Sequence, residues 1–169
     1  IVGLSTTQTA ALTTDQIVGL TTAQAAGLST ANMAALTTAQ VAAIEVADLA
    51  VVSTTNLRAL STTQIAAMTT LQIAGLTTTH MVGLSTSNIS GLGVAQIAVL
   101  ETQDIAALSE ASLRAMTGAQ LRSMDSTQIA ALGTQQIVAL STGNIAALHS
   151  DQFAVMQSTD VAVLTSGSL

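Results

Sequence analysis

An octapeptide of the form Ser/Thr-Thr-x-Gln-Ile-Ala-Ala-Leu recurs from Ser5 to Leu164 without insertion or deletion, giving 20 complete units. Eight residues match neither the 3.6-residue period of an α-helix nor the two-residue period of a strand, so no single regular element can run through the repeat. Self-similarity at so short and strict a spacing points instead to a solenoid, in which each unit is stabilised by stacking on its neighbours. Position eight is apolar in all 20 units, and position five in all but the first, where it is Thr9. Position one is Ser or Thr in 13 units, while position four is Gln in 11 and otherwise mostly Asn or Asp.

A helix N-terminus explains these four positions together. In the capping box S/T-x-x-Q, the hydroxyl accepts from the N3 amide while the N3 side chain reaches back to the N-cap amide. The flanking apolar residues then form a hydrophobic staple, as Leu60 and Ile65 would around the Ser61 and Gln64 pair. Thr69 with Gln72 repeats the pattern, and Asn32, Asn88 and Asn144 take the Gln position in other units. The expected fold is therefore all-α: a tight α-solenoid with one capped helix per octad. Each helix holds about six or seven residues, roughly 10 Å, too short to be stable alone. Ala, Gly or Val at positions six and seven would let neighbouring backbones approach, and Gly19, Gly27, Gly75, Gly83 and Gly91 would ease chain reversal. Val51, Val99, Val155 and Val163 share position seven, so a left-handed cap there is not general. The alternative is a β-solenoid, which Thr and Ile would suit; abundant Ala and Gln and the lack of two-residue alternation count against it.

The departures from the consensus carry a second period. Asn32, Asn88 and Asn144 recur at every seventh octad, as do Asp48, Asp104 and Asp160, and Arg58 with Arg114. Glu45 and Glu101 obey the same rule, with Gln157 in the third copy, and Asn56, Ser112 and Ser168 form a further series. Seven octads per superrepeat disfavour strict two-helix alternation. The three- and four-octad spacing of the polar series points to about 3.5 octads per turn, unless the sevenfold grouping records only the duplicated segment. At helix packing distances of 8–10 Å, six or so turns would make a rod of about 50–60 Å. The expected organisation is a single solenoid over residues 1–169, belonging to a longer protein because both ends cut through an octad.

Composition narrows the function. The chain has no Cys, Pro, Trp or Tyr, its three cations are all Arg, and its net charge is −6. Nucleic-acid binding is not expected, since it requires clustered positive charge. Ser, Thr or Gln interrupts every octad, so no apolar run of about 18 residues exists and membrane insertion is not expected. Catalysis requires convergent titratable groups. His80 reads as a substitute for the capping Gln and His149 for the Ser/Thr cap, rather than as bases or metal ligands. Glu45, Asp48 and Arg58, repeated as Glu101, Asp104 and Arg114, form the nearest thing to a constellation, read as a structural ion-pair group. No phosphate loop, nucleophile elbow, zinc spacing or calcium nonapeptide occurs, so no cofactor, metal or enzyme activity is expected. Asn88-Ile89-Ser90 is the single N-glycosylation sequon.

The runs LTTAQVAAI, LSTTQIAAM and LTTLQIAGL resemble the low-complexity L-T-T-x-Q-I octapeptide repeats of very large bacterial secreted or cell-surface, adhesin-like proteins, and the resemblance covers the whole chain. It implies an extracellular or cell-surface spacer, stalk or filament-forming segment, with copies of itself or surface and matrix components as partners. A thinner similarity, carried by GLSTTQTA, is to the A-G-Y-G-S-T-x-T octads of bacterial ice-nucleation proteins, although the Tyr is missing here. It implies the alternative function, a Thr-rich surface that binds ice or polysaccharide.

Overall fold

The computed structural model describes residues 3–164, which form 20 helices of four to six residues, one in each octad, and no strand. Contacts skip two helices each time: Thr62–Ala67 packs on Thr38–Ala43 on one side and on Thr86–Gly91 on the other. Side-chain hydrogen bonds between layers span 28 residues, as from Gln64 to Leu36 and from Gln72 to Ile44. The solenoid thus turns once every 3.5 octads, the half-integer that the polar series implies.

The octad assigns its positions by direction. Ile65 and Met68, at positions five and eight, are buried, and their counterparts form one continuous apolar core running from Ile17 to Leu164. Leu60 and Ile65 both lie in it. Burying such a side chain contributes about 1.5–3 kcal/mol, which supplies what a helix of one and a half turns lacks. Positions one, two, three and six face outward, as Ser61, Thr62, Thr63 and Ala66 do. Thr9, the apolar-position exception, is also fully buried. Its hydroxyl donates to Ser5 O at 3.0 Å and accepts from Asn32 Nδ2 at 2.8 Å, so its polar atom is satisfied inside the core.

Chain reversal needs no left-handed residue: among the described residues no φ is positive, glycines included. The helix ends in extended backbone at position eight, as at Met68 with φ −62° and ψ 142°, and Thr69 continues extended as the next N-cap. Glycine at position seven answers a different need. A Cβ at Gly83 would collide with Thr54 Cγ2, and one at Gly75 with Val46 Cγ1. Position seven of one layer therefore abuts position two of the layer before. Gly118 reverses the arrangement, being the small residue at position two against Ala147 at position seven.

Candidate functional site: the inward polar column

Among the described residues, position four carries the only regular polar series that points inward. From Asn32 to Asp160 every such residue is buried, whether Gln, Asn, Asp, His or Ser. The reason lies at the helix ends. A helix leaves its first N–H and last C=O groups without intrahelical partners, and a buried backbone group needs one. The primary amide of Gln offers both kinds of atom, and the solenoid uses each.

Gln64 is representative. Its Oε1 accepts from Ser61 N at 2.8 Å while Ser61 Oγ accepts from Gln64 N at 3.2 Å, closing the capping box. Its Nε2 points the other way and donates to Leu36 O at 2.6 Å and Met33 O at 3.1 Å in the preceding turn. Gln72 repeats this with Thr69 N at 2.7 Å, Ile44 O at 2.7 Å and Val41 O at 2.9 Å. One side chain thus caps the start of its own helix and the end of the helix four octads earlier, at a carbonyl 28 residues back. This second bond, repeated along the molecule, is not legible as part of a capping box; the burial implied by a polar residue beside an invariant apolar one is the available signal.

Shorter side chains do less. Asn88 Nδ2 reaches Leu60 O at 2.8 Å and Asn144 Nδ2 reaches Met116 O at 2.9 Å, each 28 residues back. Asn32 Nδ2 reaches Leu4 O at 3.1 Å. Asn88 is 1% exposed with its amide so engaged, and the folded sequon is closed to a glycosyl transferase. His80 imitates Gln with its ring: Nδ1 accepts from Thr77 N at 3.2 Å, which leaves Nε2–H to donate to Val52 O at 3.0 Å. His149 occupies an N-cap position, where its N–H is held by Gln152 Oε1 at 2.8 Å.

The acidic steps break the series. Asp48 is 2% exposed, and its Oδ2 has no hydrogen-bond partner. Burial, and then the charge of Glu45, raise its pKa above the ordinary aspartate value. Asp104 and Asp160 are better served, because Thr78 Oγ1 and Thr134 Oγ1 each donate to Oδ1 at 2.9 Å. Glu45 and Glu101 occupy N-cap positions without a side-chain cap bond. Arg114 Nε donates to Ala139 O at 3.0 Å in the following turn, and Arg122 Nε does the same to Ala147 O at 2.9 Å. Arg58 is exposed in the last turn of its helix. Glu101, Asp104 and Arg114 therefore each have a structural place, and the bonds that Asp104 and Arg114 make run to other layers.

Chemically the column is a scaffold of hydrogen bonds with no opening. Among the described residues no group of three His, Cys, Asp or Glu could hold a metal, no cavity of ligand size is present, and no helix is long and apolar enough to cross a membrane. No curated protein and no solved structure matches the chain. The model of the ALTTAQ repeat matches residues 41–78, 97–134, 110–142 and 130–166. These segments cover more than half of the sequence, and the chain belongs to the ALTTAQ repeat family.

Proposed function

We propose that the chain is a non-enzymatic structural segment, serving as spacer, stalk or filament-forming part of an extracellular or cell-surface bacterial protein. The observation that carries this reading is the column itself. From the fourth octad onward the position-four groups are turned inward, and all of the Gln and Asn among them are occupied with joining one layer to the next, while positions one, two, three and six present mostly uncharged side chains to the outside. Such a body adds length in equal steps, one turn of 3.5 octads at a time. Partners in this role are further copies of the segment or components of the surface and matrix around it.

The competing reading, a Thr-rich face for ice or polysaccharide, draws on the exposed threonines of position two, such as Thr6, Thr14, Thr22, Thr30 and Thr38. It has less to work with at position one, where hydroxyls such as those of Ser61 and Thr69 already accept from backbone N–H groups. Deleting residues 61–116 removes seven octads, or two turns, in register. The spacer reading expects small-angle scattering to show a rod shortened by about 16–20 Å, at 8–10 Å per helix layer, with its helical spectrum intact. Saturable binding of a polysaccharide or slowed ice growth, lost on replacing the position-two threonines by Ala, would transfer the assignment to the second reading.

A further inference from the structure

Side-chain hydrogen bonds tie residues 28 apart in adjacent layers, so residues 56 apart share one side of the solenoid and residues about 14 apart face opposite sides. The superrepeat of seven octads, which makes two turns, therefore gives each side its own charge. Arg58 and Arg114 are 56 residues apart and exposed. Glu45 and Glu101 are also 56 apart and exposed, each 13 residues before its Arg, so they stand on the opposite side at the same axial spacing. Asp15, Asp125 and Asp151 are exposed within a quarter turn of the glutamates, and Arg122 lies between the two sides. Among the described residues Glu110 is the one exposed carboxylate on the Arg side, four residues before Arg114. In the layer between Glu45 and Glu101, Leu71 projects with 74% of its surface exposed, more than any other large apolar residue described, while Thr86 holds the corresponding place between the arginines. Among the described residues Arg58 makes no hydrogen bond, Arg114 donates only through Nε, and neither glutamate caps its helix.

We infer that these two sides are docking surfaces for one another, and that a second copy of this chain lies alongside the first, pointing the same way, with its Glu45 and Glu101 on the neighbour's Arg58 and Arg114. The inference rests on the structural-segment reading, in which further copies are partners, and selects side-by-side association. A stagger of just under half a layer, about 4–5 Å at 8–10 Å per layer, brings both charge pairs level at once and sets Leu71 against Thr86. Both pairs form together because the glutamates and the arginines share one spacing. Within a single chain they face away from each other and cannot meet. Like charges keep either side from meeting its own counterpart, which disfavours a two-fold antiparallel dimer. Complementary surfaces on opposite sides leave one of each free after every addition, so the association is open and yields a raft of parallel rods.

The test is sedimentation velocity of the whole chain up to millimolar concentration at about 0.1 M salt, where charges more than about 10 Å apart are screened and the facing pairs dominate. Electron microscopy of the concentrated sample shows how the rods lie. The wild type should gain mass with concentration and form rafts of parallel rods. Glu45→Arg, Glu101→Arg puts arginine on both sides, and Arg58→Glu, Arg114→Glu puts glutamate on both. Each variant alone should associate at least about tenfold more weakly, as two exposed ion pairs become repulsions. An equimolar mixture of the two should recover association with alternating partners, although both proteins remain net negative. Circular dichroism at dilution should show both variants folded, since all four positions are outward. Arg114→Glu gives up the bond to Ala139 O, so the Glu45→Arg, Glu101→Arg variant decides the matter alone if its counterpart melts early. A wild type that stays monomeric throughout overturns the docking while leaving a rod of the expected length, and with it the spacer reading, intact. Association that neither variant weakens, or that a mixture of the folded variants fails to restore, overturns it too, as would threads of rods joined end to end. A monomer that is not a rod would remove the structural-segment reading itself.

Discussion

Gln72 and Asp48 occupy the same place in their octads, and each is 2% exposed. Gln72 accepts from the N–H of its own N-cap and donates to two carbonyls of the preceding turn. Asp48 can only accept, and one of its oxygens finds no donor at all. At Asp104 and Asp160 the threonine 26 residues earlier turns its hydroxyl onto the carboxylate. The equivalent Thr22 makes no such bond to Asp48. The column therefore requires a group with both a donor and an acceptor, and burial alone does not make a polar residue useful there. The superrepeat places an aspartate there once in every two turns, and among the described residues only Asp48 keeps an oxygen without a donor.

The sharpest way to break that comparison is to make Gln72 resemble Asp48. Gln72→Glu keeps the size and the capping acceptor but leaves Ile44 O without a donor, leaves Val41 O only the bond from Ile44 N, and buries a charge among carbonyls. Unfolding in urea at pH 7 should show a loss of at least about 3 kcal/mol. A loss below about 1 kcal/mol would mean that water reaches the column and that the ladder is not what joins the layers.

The reverse substitution should stabilise. Asn88 shows what a short amide does in this place, donating to Leu60 O 28 residues back. The amide introduced by Asp48→Asn stands in the same relation to Leu20 O and should raise stability by about 1 kcal/mol. An unchanged urea midpoint would show that the orphaned oxygen costs the fold nothing.

What the sequence disclosed follows from which interactions are local. A capping box closes within four residues, so the Ser61–Gln64 reciprocity and the start of each helix could be derived from spacing, as could the apolar core of positions five and eight. The turn of 3.5 octads was legible because Asn32, Asn56 and Asn88 fall three and four octads apart. The interlayer half of the column was not legible, because Gln64 and Leu36 are neighbours only once the pitch is fixed. Position-seven glycines were misleading for a similar reason. Their local signal is a left-handed turn, whereas Gly75 and Gly83 are needed for a neighbour in the preceding layer, Val46 or Thr54. Arg114 likewise satisfies Ala139 O, a layer away, rather than any acid near it in sequence.

Acidification offers a finer probe of the same pair. Because the folded-state pKa of Asp48 is raised, the folded state holds this proton more tightly than the unfolded chain, and the group weakens the fold at pH values above its folded pKa. That penalty should fade as pH falls from 7 toward 4. The stability gap between wild type and Asp48→Asn, measured by urea unfolding at several pH values, should narrow over this window, by no more than the gap itself. Asp125 runs oppositely: hydrogen bonds from Thr127 Oγ1 and Gln128 N lower its pKa, so its contribution is present above the unfolded aspartate value and lost on further acidification. Since Asp125 is common to both proteins, it cancels in the difference. A gap that stayed constant would remove Asp48 titration from the account.

The smallest expected effect isolates the ladder from the cap. Gln16 makes the same capping box as Gln72, with Thr13 N at 2.9 Å from its Oε1, but it lies in the first turn, is exposed and reaches no carbonyl below. Gln16→Ala therefore frees one N–H to water and should cost only about 0.5 kcal/mol. Gln72→Ala removes the same capping bond and in addition strands Ile44 O in the core and takes one of two donors from Val41 O, for about 2 kcal/mol. Subtracting one loss from the other leaves the worth of a single interlayer step, corrected for the void beneath position 72 by repeating the pair as Gln→Met. Equal losses at the two sites would show that capping is all these glutamines do and that apolar packing alone holds one turn on the next.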